Sequence, residues 1–264
     1  MYDINQIGYM PAYSGNPQYR FTRQFNKRVS VSFDDIQTDP DADYNVLVQC
    51  EPPQLYIDFK GMVYNNYNKF DLILSYDDRL LELPNAKEFC PVGSWVGELP
   101  LDKRNQITYL MSSKIWTQEH RMRFMIFRRL GHLKQIRDFE FLMHRSPPRV
   151  ASKEPFFTNA KFHIACENQV MTNMFTEKLL DCFRTRTVPI YYGCTNLEKY
   201  FNVSGVIRFN NITEFENIMA NLTPDHYEQL LPYVEENYQR ARPYWEKSVF
   251  QRIEDIICTS FALD

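Results

Sequence analysis

Residues Phe162–Gly193 read FHIACENQVMTNMFTEKLLDCFRTRTVPIYYG. Phe162 to Cys166 is an apolar run of strand length, and Val188 to Tyr192 is another, closed by Gly193. Between them, Thr176 to Thr185 carries apolar residues at helical spacing. A strand, a polar loop, a helix and a second strand make a βαβ unit, and such units build a parallel sheet covered on both faces. The helix places Glu177 and Lys178 in its first turn. A helix N-terminus offers unpaired N–H groups and a partial positive charge, so it suits a diphosphate. Lys178 adds a full charge, and Glu177 can accept two hydrogen bonds from a ribose diol. In an open parallel sheet ligands sit beyond the carboxyl ends of the strands, where this loop lies. The blander alternative is an acidic first turn that complements the helix dipole while Lys178 is solvated.

The same rhythm extends outward. Ile107 to Ser112, Phe139 to Met143 and Val206 to Phe209 read as strands. Gln118 to Leu133 reads as a basic amphipathic helix, 195–200 as a short helix and Ile212 to Leu222 as another helix. Residues 145–160 form a Pro-containing loop. Thr223-Pro224 suits a helix start, and the tail over 224–258 is expected to be helical with breaks at Pro232 and Pro243. In the first half, 1–19 is an arm rich in Tyr, Pro, Gly and Asn, 20–28 a short helix and Arg28 to Phe33 a strand. Residues 34–43 are an acidic loop. Asn45 to Cys50 is a buried strand that ends at Glu51-Pro52-Pro53, because proline cannot continue a central strand. Asp71 to Tyr76 is a further strand before Asp77-Asp78, and 84–104 is loosely ordered. Two α/β domains follow, 1–104 and 105–264, the second with the helical tail.

Composition narrows the function classes. The chain has 264 residues, 44% hydrophobic and 24% charged, so it can bury a sizeable core. A net charge of −3 argues against a nucleic-acid binder. With 8 glycines and no GxG, dinucleotide, Walker and kinase glycine loops are all excluded. Six cysteines stand without a CxxC pair, which fits buried thiols in a reducing compartment. The N-terminus shows no secretory pattern and no apolar run nears the roughly 18–20 residues of a membrane span. The chain is therefore expected in the cytoplasm, and the N-x-S/T triplets at Asn202, Asn211 and Asn221 are read as chance. The five histidines lack zinc spacing, no GxSxG surrounds Ser112-Ser113, and no metal is expected. Asp41-Ala42-Asp43 is a DxD in a turn-rich loop, and Tyr64 and Tyr67 are either packing residues or platforms for a sugar ring.

The stretch Phe162–Gly193 resembles the C-terminal signature of family 10 glycosyltransferases, the α1,3/4-fucosyltransferases. That signature is Phe-x-x-x-x-Glu-Asn, a gap, Thr-Glu-Lys and a Pro-Ile/Val-Tyr/Val-x-Gly strand end. Phe162, Glu167, Asn168, Thr176, Glu177, Lys178, Val188, Pro189, Ile190, Tyr191 and Gly193 match at the same spacing. Upstream, Glu51-Pro52-Pro53 resembles the family's Glu-Ser-Pro element, and Phe70 to Asp77 its aromatic-Asp strand end. Ser112 or Ser113 and Arg123, with Arg121 as its rival, resemble its next strand end and helix arginine. The chain departs from the family at Met174, where a donor-proximal Tyr is usual, and it is shorter than typical family catalytic regions.

The resemblance implies a two-domain GT-B fold, two Rossmann-like domains with a cleft between them, and an inverting, metal-independent glycosyltransferase without a cofactor. The donor would be a nucleotide-sugar, GDP-fucose in preference to a UDP-sugar such as UDP-xylose, and the acceptor an oligosaccharide or glycoprotein hydroxyl. Glu51 would be the base, in the acceptor-side first domain. Arg123, Lys178 and the helix N-terminus would hold the departing diphosphate, and Glu177 the ribose. Asn168, Met174 and Thr176 would line the donor, with Ser112, Ser113 and Glu167 as further contacts. A short soluble member of bacterial or viral type, in the host cytoplasm if viral, fits these features. A non-catalytic glycan- or nucleotide-binding protein on the same scaffold is the alternative of a different class.

Overall fold

A computed structural model describes residues 1–8, 20–51, 59–100, 102–115, 117–132, 138–146 and 150–263. The chain forms two compact units, one of Met1–Val92 with Glu246–Asp264, the other of Gly93–Trp245.

In the first unit, β1 (Tyr2–Asp3) pairs antiparallel with β3 (Gln24–Phe25). A separate parallel sheet holds β2 (Asn5–Ile7), β4 (Val29–Phe33), β5 (Tyr44–Val48), β6 (Leu72–Ser75) and β7 (Ala86–Glu88), side by side in that order. Its central strands are buried on both faces, which is why they read as unbroken apolar runs. Val46, Val48, Leu72 and Leu74 look to one face, and Leu47 and Ile73 to the other. Helix α1 (Phe59–Asn66) covers the second face through Phe59 and Val63.

Against expectation, residues 20–28 contain β3 and no helix. Phe25 is instead buried with the strands of the first face. The Glu51-Pro52-Pro53 proposal is described only at Glu51, since 52–58 lie outside the described residues.

The second unit is a parallel sheet of β8 (Arg104–Ser112), β9 (Glu140–Ser146), β10 (Ala160–Cys166), β11 (Val188–Tyr192) and β12 (Ile207–Arg208). The spatial order is β12-β11-β10-β8-β9. Helix α2 (Gln118–His132) follows β8, α3 (Glu177–Arg184) follows β10, and α4 (Ile212–Asn221) follows β12. Alternate strand residues Ile107, Tyr109, Met111, Phe162, Ile164 and Cys166 join one core with Met122, Ile126 and Leu130 of α2 and Phe215 and Met219 of α4. After β8 the chain goes to one side for β9, then crosses back to place β10 on the other. The carboxyl ends of β8 and β10 therefore flank a topological switch point, the place where open α/β sheets bind ligands.

Three features differ from the sequence reading. The units divide after Val92 rather than after residue 104. Ser94 Oγ and the Trp95 N–H donate to Asp181 Oδ1 at 2.9 and 2.7 Å, which ties the connecting segment to α3 of the second unit. Helix α5 (Asp225–Ala241) runs through Pro232 without a break. Tyr227, Val234, Asn237 and Ala241 are buried on both sides of the proline, and that burial offsets the roughly 3 kcal/mol an internal proline costs. After the short α6 (Pro243–Glu246), helix α7 (Val249–Phe261) belongs to the first unit, although sequence order placed it with the second. Val249, Phe250, Ile253 and Ile257 complete the core over the first sheet, on the face opposite α1. A Ser248–Gln251 capping box starts α7, and Ala262, at φ +50°, ends it.

Candidate functional site

At the switch point Arg123, on α2, is 3% exposed. Its Nη1 donates to Asn168 Oδ1 at 2.8 Å and its Nη2 to Ser112 Oγ at 3.3 Å. The three residues come from α2, the end of β8 and the loop after β10. Among the described residues Arg123 takes part in no ion pair, and its Nε has no hydrogen-bond partner. Burial lowers the guanidinium's pKa from its ordinary value, while Tyr109, Cys166, Glu167 and Glu177 pull the other way. Arg121, its rival on the sequence, is exposed. Ser113 is partly buried beyond the strand, and the contact to Arg123 is made by Ser112.

The loop from Glu167 to Thr176 is fixed at both ends. Thr176 caps α3, with its Oγ1 accepting from the Lys178 N–H at 3.3 Å. The fully buried Glu167 accepts from the Thr176 N–H at 2.8 Å and the Thr176 hydroxyl at 2.6 Å. The Tyr191 hydroxyl also donates to Glu167 at 3.3 Å. Gly193 is required here, because a Cβ would run into Glu167 Cγ and the Tyr191 hydroxyl. In the middle of the loop Asn173 takes φ +55°, and its Oδ1 accepts from Asn196, Lys199 and Tyr200. Met174 is 5% exposed and follows this turn. Phe175 beside it packs edge-on against Tyr200, Phe201 and Tyr244.

Two lysines and three carboxylates meet at the start of α3. Lys178 Nζ lies 3.3 Å from Glu177 and 3.5 Å from Glu167, and donates to Thr176 Oγ1 at 3.0 Å. Lys153 Nζ lies 3.3 Å from Glu177 and 3.2 Å from Asp181, under the Trp95 ring at 4.3 Å. Burial pushes the Glu177 pKa up, but Lys178 and Lys153 outweigh it and hold the carboxyl at about 2. Burial dominates at Asp181 and raises its pKa, against the pull of Lys153. On the first turn of α2, His120 Nδ1 accepts from the Thr117 N–H, and the Thr117 hydroxyl reaches the Asn168 carbonyl. Burial, then Arg123, Lys114 and Lys178, bring the His120 pKa down to about 4, so the ring is neutral near pH 7.

The structure thus brings Ser112, Arg123, Asn168, Thr176, Glu177, Lys178 and Glu167 to one end of the second sheet. Sequence reading missed Lys153, which sits in a loop without periodicity. It also missed Asp181, although an acid on the apolar face of LLDCF was a visible signal. In the first unit, Glu51 follows the end of β5, is partly buried, and its N–H donates to Asp34 Oδ2 at 3.0 Å. Tyr64 is exposed under the Arg79 guanidinium, and Tyr67 packs on the α1 side of the core. Asp43 of the DxD accepts from the Arg28 N–H and lies 3.7 Å from Lys27.

Two parallel Rossmann-like units are the arrangement of GT-B glycosyltransferases. A crystal structure of an α1,3-fucosyltransferase with GDP aligns at a TM-score of 0.58, over 97% of this chain and 89% of that one, with 16% identity. A UDP-forming α,α-trehalose-phosphate synthase from Burkholderia xenovorans aligns at 0.56, over 89% and 73%, with 10% identity. At such identities the likeness is one of fold, and it makes this a GT-B protein. Residues 101–258 match glycosyltransferase family 10 (fucosyltransferase), C-terminal region. The chain belongs to that family. The α-(1,3)-fucosyltransferase FucT of Helicobacter pylori is 34% identical over 68 residues, which are 26% of this chain and only 14% of FucT.

Proposed function

We propose that the protein is an inverting glycosyltransferase that moves fucose from GDP-fucose to a glycan hydroxyl. The observation that carries this reading is Arg123. A buried guanidinium whose hydrogen-bond partners are the neutral oxygens of Asn168 and Ser112, and which Glu167 and Glu177 support without pairing to it, is costly until a further negative charge faces it. A donor diphosphate supplies that charge, between Arg123 and the Lys178 end of α3. Glu177, held ionised, accepts the ribose hydroxyls, and Lys178 is shared between Glu177 and the diphosphate. Asn168 and Thr176 hold the loop that frames the donor, Glu167 fastens it, and Met174 lines it where other members place a Tyr.

In the reaction Glu51 takes the proton of the acceptor hydroxyl as that oxygen attacks the anomeric carbon. The bond to the diphosphate oxygen breaks, the configuration inverts, and GDP leaves with its added charge stabilised by Arg123, Lys178 and the helix dipole. Family membership and the GDP-fucose carried by a structurally similar α1,3-fucosyltransferase support this donor over a UDP-sugar.

The test is GDP release from GDP-fucose with a panel of oligosaccharide acceptors, for the wild type and Glu51→Gln. Turnover lost in Glu51→Gln with GDP binding intact supports the reading. Turnover with a UDP-sugar instead replaces the donor. Nucleotide binding without turnover by the wild type on any donor or acceptor makes the protein a binder.

A further inference from the structure

The carboxyl edge of the first sheet holds a second carboxylate beside Glu51. β5 ends at Val48, and beyond it the Gln49 N–H is still held by the Leu74 carbonyl at 2.9 Å. The next two amides have left the ladder. Asp34 takes both, with Oδ1 accepting from the Cys50 N–H at 2.8 Å and Oδ2 from the Glu51 N–H at 3.0 Å. Its own N–H donates to the Val48 carbonyl at 3.0 Å, so the residue, which follows β4, is locked to the end of β5. To do this Asp34 adopts φ +48°, a left-handed conformation that non-glycine residues seldom take. On the opposite side the Tyr76 hydroxyl donates to the Cys50 carbonyl at 3.3 Å. The peptide before Glu51 is thus gripped on its N–H and its C=O.

We propose that Asp34 is a positioning residue for Glu51, fixing the backbone that aims the base and placing a negative charge beside it. The proposal rests on the assignment of Glu51 as the base. The argument turns on the choice of acceptor. A neutral Asn or Ser side chain can also accept an N–H, and would avoid both desolvating a charge and setting it against Glu51. A carboxylate here strengthens the grip on two amides at once, one oxygen for each. The strain is visible at Asp34 itself. Burial pushes its carboxyl up to about 6, the two N–H bonds pull it down, and Glu51 pushes it up again. Among the described residues the other titratable groups around it are Cys50, and Tyr76 with Cys90 behind it. Cys50 and Tyr76 are raised well above their ordinary values by burial and stay neutral.

The experiment measures kcat, KM and the pH dependence of kcat/KM for GDP release from GDP-fucose, with an oligosaccharide acceptor that supports turnover and with water alone. It compares wild type, Glu51→Gln and Asp34→Asn, with folding checked by circular dichroism. Asp34→Asn is expected to lose at least about tenfold in kcat with KM for GDP-fucose unchanged, since misaligning a catalytic group slows the chemistry rather than donor binding. In the wild type the Asp34 carboxyl, at about 6, loses its charge on the acid limb of the profile, so in Asp34→Asn that limb is expected to move to lower pH. If Asp34→Asn does not fold, Asp34→Ser, which also removes the charge, is read in the same way. An unshifted profile with unchanged kcat overturns the proposal and leaves Glu51 as the base. Full turnover in Glu51→Gln overturns the base assignment itself, and the role of Asp34 with it.

Discussion

Glu167 and Thr176 stand nine residues apart and are joined twice, by the Thr176 N–H at 2.8 Å and its hydroxyl at 2.6 Å, both donated to the Glu167 carboxylate. This pair closes the loop after β10 onto the cap of α3, and so sets where Glu177 and Lys178 stand. Glu167→Gln presents an amide N–H₂ to donors that need an acceptor, inside a fully buried site. The variant is expected to lose about 1–3 kcal/mol of stability and to weaken GDP binding, read by urea denaturation and by calorimetric titration.

Gly193→Ala tests the same closure from the other side. The new Cβ meets Glu167 Cγ and the Tyr191 hydroxyl, so the loop must move to admit it. A destabilisation of about 1–3 kcal/mol is expected, with reduced GDP affinity measured beside it. A variant as stable and as tight-binding as the wild type contradicts the described packing.

Lys153→Met separates the charge lattice from the donor contacts. It leaves the fully buried Asp181 without its cation and removes one of the two cations at Glu177. Breaking a buried pair from one side costs about 3–5 kcal/mol. Adding Asp181→Asn should recover part of that loss, because the isolated charge is gone. A double-mutant cycle by urea denaturation gives the coupling, and additive losses refute it.

Acid should destabilise the protein through His163 and Glu177. Burial lowers the His163 pKa to about 3, so the unfolded chain binds the extra proton as pH falls from the ordinary 6.5 towards 3, and stability falls with it. Glu177, held at about 2, adds a loss between its ordinary 4.5 and 2. Asp34 acts in the opposite sense. With its carboxyl at about 6 the folded state takes up the proton first, which favours folding as pH falls from 6 to 3.8. His163→Leu is expected to flatten the decline between pH 6.5 and 4 while the Thr108 hydroxyl keeps its bond to the Phe156 carbonyl. Urea midpoints across that range give the slopes.

Much of the second unit was legible in the sequence, for a physical reason. Buried parallel strands leave apolar runs such as VPIYY, and a capped helix leaves Thr-Glu-Lys, so β10, α3 and β11 stood close to where they were expected. Arg123 could be named but not separated from Arg121, because both lie on one basic helix and only packing tells the buried one. Lys153 and Asp34 stayed hidden, and Asp181 showed only as an acid on an apolar face, since their roles arise from contacts between distant segments. α7 misled because an amphipathic helix shows which face it buries but not which sheet lies beneath it. Pro232 misled because tertiary burial outweighed a local rule.

The most direct test of the donor site is a thermal-shift panel with GDP, UDP, CDP, ADP and dTDP, with and without manganese, on the wild type and Lys178→Ala. A ligand at 100 times its Kd adds about 2.7 kcal/mol, which is a visible shift. Stabilisation of the wild type by GDP alone, indifferent to manganese and lost in Lys178→Ala, is the result this account predicts. No shift with any nucleotide, or a GDP shift unchanged in Lys178→Ala, would contradict it.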